Sequence, residues 1–261
     1  MLDHLKPISS NHSISKVIAT VFIPQAFIKP EDVFEKMKNL KGFEDYPKKS
    51  ILKSRTINLN QNDFAVSKDH IAGFLFESYD KLGSIDNIVR VENIKDNQAK
   101  VSIENRNYSG WNNFKNKLDQ DLETFGNKYD FYIDAISLNY RDEFNWNNGD
   151  LNIPVELIFN INSELLNKKF LNSRNGTLIL ISQGTSGSNF FEEKTEISFN
   201  NDLKRIIIDH QFAIRFNEIK LFSELNNSNQ FSSEYDLAHT ENKKILKDIL
   251  TIETQTLINL N

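Results

Sequence analysis

Between residues 54 and 109 four strand-length segments follow one another with no helical pattern between them. They read SRTINLN (54–60), AGFLFES (72–78), NIVRVENI (87–94) and AKVSIENRNYS (99–109), separated by the turn compositions NQND, DKLGS and KDNQ. Strands joined this closely cannot run parallel, because a parallel pair needs a crossover of about a dozen residues or more. An antiparallel meander is therefore the framework to which the rest of the chain must attach.

Around that framework the helical patterns are few. KVIATVFI (16–23) is a first apolar strand, and Pro30 then opens a helix with Glu31 and Asp32 beside its positive end. Val33, Phe34, Met37 and Leu40 keep helical spacing until Gly42. The clearest helix takes Ser109 as N-cap, lines Trp111, Phe114, Leu118, Leu122 and Phe125 along one face, and stops at Gly126. In the second half, VELIFNI (155–161) is strand-like or starts a helix through SELLNKKFL. GTLILIS (176–182) and TEISFNN (195–201) read as strands flanking a flexible loop, QGTSGSNFFEEK, and KRIIIDHQFAIRF (204–216) as a longer strand. A closing helix spans about Ser232 to Leu250, followed by a shorter one with Thr251 as cap and Glu253 in its first turn. Each half thus reads as strands followed by a long helix. The expected class is α+β, two antiparallel-sheet-plus-long-helix halves covering 1–150 and 151–261. A pseudo-duplicated arrangement and one continuous domain are both open at this point.

Composition narrows the partners. Twenty Phe and two Trp in 261 residues exclude a disordered chain. The net charge of -5 supplies no cationic excess for a polyphosphate backbone, so nucleic acid is not the expected partner. The absence of Cys removes disulfide scaffolds, thiol catalysis and Cys-ligated metals. MLDHLKPISSNHSISKV has no apolar secretory core, and no run approaches the ~18 apolar residues of a membrane span, so a cytoplasmic protein without membrane contact is expected.

No spacing points to catalysis. The Gly-rich SQGTSGSN (182–189) lacks the strand-loop-helix context and the Lys of a phosphate cradle, and no G-x-S-x-G elbow is present. His4, His12, His70, His210 and His239 form no HExxH pair. Asp236 and His239 share a helix face at i, i+3 and read as a surface hydrogen bond. No catalytic, cofactor-binding or metal-ligating residue is assigned.

YIDAISLNYRDEFNW (132–146) is the unusual stretch. Alternation places Ile136, Leu138, Tyr140, Phe144 and Trp146 on one side, and Ser137, Asn139, Arg141, Glu143 and Asn145 on the other. Arg141 is expected to pair with a cross-strand acid such as Glu104, and Asp142 to mark a strand end or bulge. Arg and aromatic side chains anchor interfaces, so the candidate interaction residues are Tyr140, Arg141, Glu143, Trp146, Phe190 and Phe191.

YSGWNNF at the start of the middle helix, ISLNYRDEFNW, and LAHTENKKILKDILTIETQTLINLN at the C-terminus together carry a resemblance. The chain resembles a sporadically distributed family of uncharacterised prokaryotic proteins of about this length. In that family a Trp and a Phe open the middle helix, as Trp111 and Phe114 do here, and a strand of the form lRYiNxF follows, here Leu138 to Phe144. The family's LHxxNxxxFxxxLT corresponds to Leu237, Ala238, His239, Thr240, Glu241 and Asn242, then Ile245, Leu250 and Thr251. The Arg-Tyr order of the family is here Asn139-Tyr140-Arg141, and its Ile-Asn is Asp142-Glu143. The resemblance implies no activity and no cofactor. Its sporadic distribution associates the chain with mobile and defence-linked genes.

The expected function is a non-catalytic protein-binding module, as an antitoxin, immunity or phage-defence accessory, with a protein partner and homo-oligomerisation left open. The alternatives are an enzyme or small-ligand-binding protein with a site between helices and sheets, and a nucleic-acid-binding accessory.

Overall fold

The computed structural model describes residues 2–55, 57–60, 63–66, 69–94 and 97–260. Parts of the turns at NQND and KDNQ, and Thr56 of the first meander strand, lie outside the described residues. In chain order the elements begin with strands β1 (Leu5–Pro7) and β2 (Ile14–Ile23), helix α1 (Pro30–Met37) and strands β3 (Lys48–Ser54), β4 (Ile57–Asn60) and β5 (Asp63–Val66). Then come β6 (His70–Tyr79), β7 (Ile85–Ile94), β8 (Gln98–Asn105), helix α2 (Trp111–Gly126) and β9 (Tyr132–Trp146). The remainder is α3 (Val155–Ile158), α4 (Lys168–Leu171), β10 (Asn175–Ser186), β11 (Asn189–Asn200), β12 (Arg205–Leu221), α5 (Phe222–Asn227), α6 (Gln230–Ile249) and α7 (Ile252–Leu257).

Three of the four expected meander strands pair in order as β6, β7 and β8, but Ile57–Asn60 of the first is β4, outside the meander, and β3 takes the place beside β6. One ten-stranded antiparallel sheet runs in the order β10-β11-β12-β9-β2-β8-β7-β6-β3, with β1 paired to the end of β9; β4 and β5 form a separate hairpin. This corrects the expectation of two sheet-plus-helix halves. The chain is 43% strand and 29% helix, a predominantly β fold. The physical reason lies in β9, which pairs with β2 on one side and β12 on the other, so the sheet continues across residue 150. The strands also run past the apolar segments that marked them. The expected loop 183–194 is mostly strand, and β10 turns into β11 through two residues, with Gly187 at the left-handed φ of 61° that such a turn requires.

The longer helices pack on one face of the sheet. Val17, Ala19 and Val21 of β2 and Ile136, Leu138 and Tyr140 of β9 meet Val33 and Phe34 of α1, Phe114 and Leu118 of α2, and Phe231 and Tyr235 of α6 in a first core. A second core joins Phe144 and Trp146 of β9 to Ile158, Phe170, Ile206, Ile208, Leu246 and Ile249. Asp142, on the same side of β9 as Tyr140 and Phe144, stands where the two cores meet.

Local expectations also shift. Gly110, at φ 127°, is the N-cap of α2, and the Ser109 hydroxyl accepts instead from Asn113 Nδ2 at 3.1 Å. Gly126 is the last helical residue, and a Cβ there would come within 2.2 Å of the Phe222 ring. Residues 155–161 hold the one-turn helix α3, after which Phe159 makes an isolated bridge to Leu250. Thr251 does cap α7, its hydroxyl accepting from Thr254 N at 3.3 Å. Among the described residues, no helix is long and apolar enough to cross a membrane.

Candidate interaction site

The two edges of the sheet are built differently. β3 carries Lys48, Lys49 and Lys53 and has a register break between Leu52 and Lys53. Edge lysines and bulges are the usual means of keeping a free edge from pairing with another chain. β10 at the opposite edge has none of these. Its twelve residues, NGTLILISQGTS, include no charge and no proline, and its pairing with β11 is unbroken from Asn175 to Ser186. Among the described residues no strand pairs with its outer side.

The two-residue turn fixes which groups face outward. Ser186 and Asn189 flank it as a hydrogen-bonded pair, so Ser186, Ser182, Leu180 and Leu178 direct their backbone groups to β11. Thr177, Ile179, Ile181, Gln183 and Thr185 present theirs to the free edge. The same residues put their side chains on the sheet face opposite the cores, where Ile179 is 52% and Ile181 63% exposed. Outward backbone donors and acceptors therefore coincide with two exposed isoleucines. Phe190, at the start of β11 beside Thr185, adds a ring that is 56% exposed.

The candidate residues from the sequence divide among these surfaces. Arg141 and Glu143 lie on the open face, as alternation requires. Their charges are met within the sheet: Arg141 Nε and Nη2 donate to Asp209 at 2.9 and 2.7 Å, and Glu143 pairs with Arg205 while accepting from Ser15 Oγ at 2.9 Å. The expected partner Glu104 sits on β8, separated from β9 by β2, and accepts from Arg106 instead. The expected bulge lies in the neighbouring strand: the register slips between Ile14 and Lys16 of β2, opposite Asp142 and Arg141. Tyr140 and Trp146 point into the cores and are buried, so neither can be a surface anchor. Phe191 is likewise turned inward, stacked on Phe212 at 5.3 Å. Of the six candidates, Phe190 alone offers an exposed apolar anchor.

Tyr140 belongs to a polar seam between the sheet and α6. It shares a 2.8 Å hydrogen bond with His239 Nδ1, and the His239 ring stacks on Trp111 at 4.5 Å. Trp111 Nε1 donates to Asp236 at 2.7 Å, and Lys115 Nζ donates to the same carboxylate at 2.6 Å. Tyr108 meets Tyr140 edge-on at 6.0 Å. Beside them Ser13 Oγ donates to Asp142 Oδ1 at 2.5 Å, while Asp142 Oδ2 has no partner among the described residues. Burial pushes the Asp142 carboxyl up to about 7 and the Tyr108 phenol up to about 12. Burial, reinforced by Lys243, brings His239 down to about 4, so the imidazole is neutral at pH 7. Asp236 and His239 thus act together through Trp111, where a bare surface hydrogen bond was expected.

A depression of about 400 Å³ lies beside α6, lined by Glu164, Glu193, Glu241, Lys244 and Asp248. Three of its carboxylates are engaged: Glu193 with His210 Nε2 at 2.9 Å, Glu241 with Lys244 at 2.6 Å, and Asp248 with Ser163 Oγ at 2.6 Å. Among the described residues no group of three or more His, Cys, Asp or Glu is arranged to hold a metal ion.

No known family model, curated protein or solved structure matches the chain. The surface that sequence reasoning passed over is β10. Only its residues 176–182 were legible as strand, and the signal of its exposure was the twelve-residue run without charge set against the lysines of β3.

Proposed function

We propose that the chain is a cytoplasmic protein-binding module that accepts a strand of its partner along the outer side of β10. The observation that carries this reading is the contrast between the two sheet edges, one guarded by lysines and a bulge, the other long, regular and uncharged. Strand addition draws its affinity from backbone hydrogen bonds and its selectivity from alternate side chains, and Ile179 and Ile181 are the side chains available for that selection. The resemblance noted in the sequence supports an antitoxin, immunity or phage-defence setting for such a contact. The seam around His239 favours a structural role, since Tyr140, His239, Trp111, Asp236 and Lys115 are engaged with one another and join α2, β9 and α6.

The test compares wild type with the Ile179→Lys/Ile181→Lys double variant. Both side chains face solvent, so the melting temperature should move by no more than ~2 °C, while capture of the partner from host extract should be lost. Equal capture by both proteins would sink the proposal. Loss of cellular activity on changing Glu193 or His239, with capture intact, would move the enzyme reading ahead of it.

A further inference from the structure

We infer that the strand which docks on β10 is β10 of a second copy of this chain, giving a two-fold dimer in which the sheet continues from one subunit to the other. This rests on the protein-binding reading of β10 and names its partner.

The register follows from the strand itself. Residues with outward backbone groups must pair with one another, which limits antiparallel self-pairing to registers that match odd residues with odd residues. One register places Ile181 of each copy opposite Ile179 of the other, so that four isoleucines that are half-exposed or more in the single chain cover each other on the open face. Thr177 then faces Gln183, Asn175 faces Thr185, and Leu180 faces its own counterpart across the two-fold axis on the other side of the sheet. Every side chain of β10 meets an uncharged one, because β10 contains no other kind.

The neighbouring registers cover less. Moving the strand two residues one way leaves Ile179 of each copy opposite Gln183, and two residues the other way leaves Ile181 of each copy opposite Thr177. Only the central register sets both isoleucines of each copy against isoleucine.

A chain without cysteine makes this directly measurable. Sedimentation across a dilution series should show the mass rising from 30.3 kDa toward twice that value in wild type. Ile181→Lys, which sets a lysine in the pair, should remain monomeric at the same concentrations. In the proposed register Leu180 sits in a non-hydrogen-bonded pair with its counterpart, at a Cα separation of about 4.5 Å, within disulfide reach. Oxidised Leu180→Cys should therefore run as a covalent dimer. Thr185→Cys, whose counterpart lies about ten residues along the strand, should not. A monomeric wild type, a dimer indifferent to Ile181→Lys, or a dimer that Leu180→Cys fails to cross-link would each overturn the second-copy assignment. If wild type is monomeric yet captures a different protein that Ile181→Lys does not capture, the protein-binding reading survives without it. If Ile181→Lys alters neither mass nor capture, both fall.

Discussion

Tyr140 on β9 and His239 on α6 share a 2.8 Å hydrogen bond although 99 residues separate them in the chain, and Trp111 of α2 stacks on the same imidazole. Three stretches far apart in the chain, at Trp111, Tyr140 and His239, therefore meet at one junction. The junction fastens two helices to the strand that every other part of the sheet depends on.

Removing the indole should loosen that fastening. Trp111 is half-buried, and Trp111→Ala would lose the stack on His239 and the hydrogen bond to Asp236. A cost of about 3 kcal/mol is expected, or roughly 6–12 °C in melting temperature by calorimetry. Phe114→Ala, at a fully enclosed position, should cost about as much or more.

The seam also makes stability depend on pH in two opposed ways. Asp142 has a folded pKa raised from 3.8 to about 7, so its stabilising contribution is complete below 3.8 and is lost as pH rises through 7. His239 is lowered from 6.5 to about 4, so its contribution is complete above 6.5 and is lost as pH falls toward 4. Relative to wild type, Asp142→Asn should gain stability as pH increases from 4 to 7, and His239→Gln should gain as pH decreases over the same range. Urea midpoints measured at intervals of pH would read both slopes; parallel curves for wild type and variants would contradict the assignment.

Gly73 in β6 is a steric requirement. A Cβ there would lie 2.0 Å from the Val91 carbonyl oxygen of β7, backbone that cannot move aside without parting the strands. Gly73→Ala should cost about 2 kcal/mol or more, read as a lower denaturant midpoint at unchanged m-value. A variant as stable as wild type would show that the two strands can separate freely there.

Hydrogen exchange should reveal the free edge as an alternation. At dilutions where the chain is single, the amides of Thr177, Ile179, Ile181, Gln183 and Thr185 should exchange rapidly while those of Leu178, Leu180 and Ser182 are protected. Uniform protection under those conditions would mean that the outer side of β10 is already paired.

The strands β6 to β8 and the long helices were legible because each carried its own period, as the spacing of Phe114, Leu118, Leu122 and Phe125 shows, whereas the segment 54–60 read as a meander strand pairs in a separate hairpin. Alternation along β9 likewise placed Ile136, Leu138 and Tyr140 inside and Arg141 outside. Strand neighbours were not legible. Arg141 was matched with Glu104 because nothing local states that β2 intervenes and that β12, more than sixty residues away, brings Asp209 alongside. Asp142 looked like the end of a strand because a carboxylate in a core position is costly. Ser13, from the segment before β2, relieves that cost, and short-range pattern holds no trace of the encounter. The edge status of β10 had one local trace, its run of twelve uncharged residues, but an edge is defined by who pairs with whom, and that the sequence does not state.

β9 has a consequence for how the protein is made. Its two long neighbours come from opposite ends of the chain, β2 near the start and β12 near the close. During synthesis the N-terminal strands can assemble on β9 as soon as it leaves the ribosome, but its other side must wait for more than fifty further residues to be translated. At about 5–20 residues per second, that leaves a fifteen-residue strand open on one side for several seconds in every molecule made. A nascent chain in this condition needs either a chaperone or slow neighbours, and expression that outruns both should yield inclusion bodies seeded by β9.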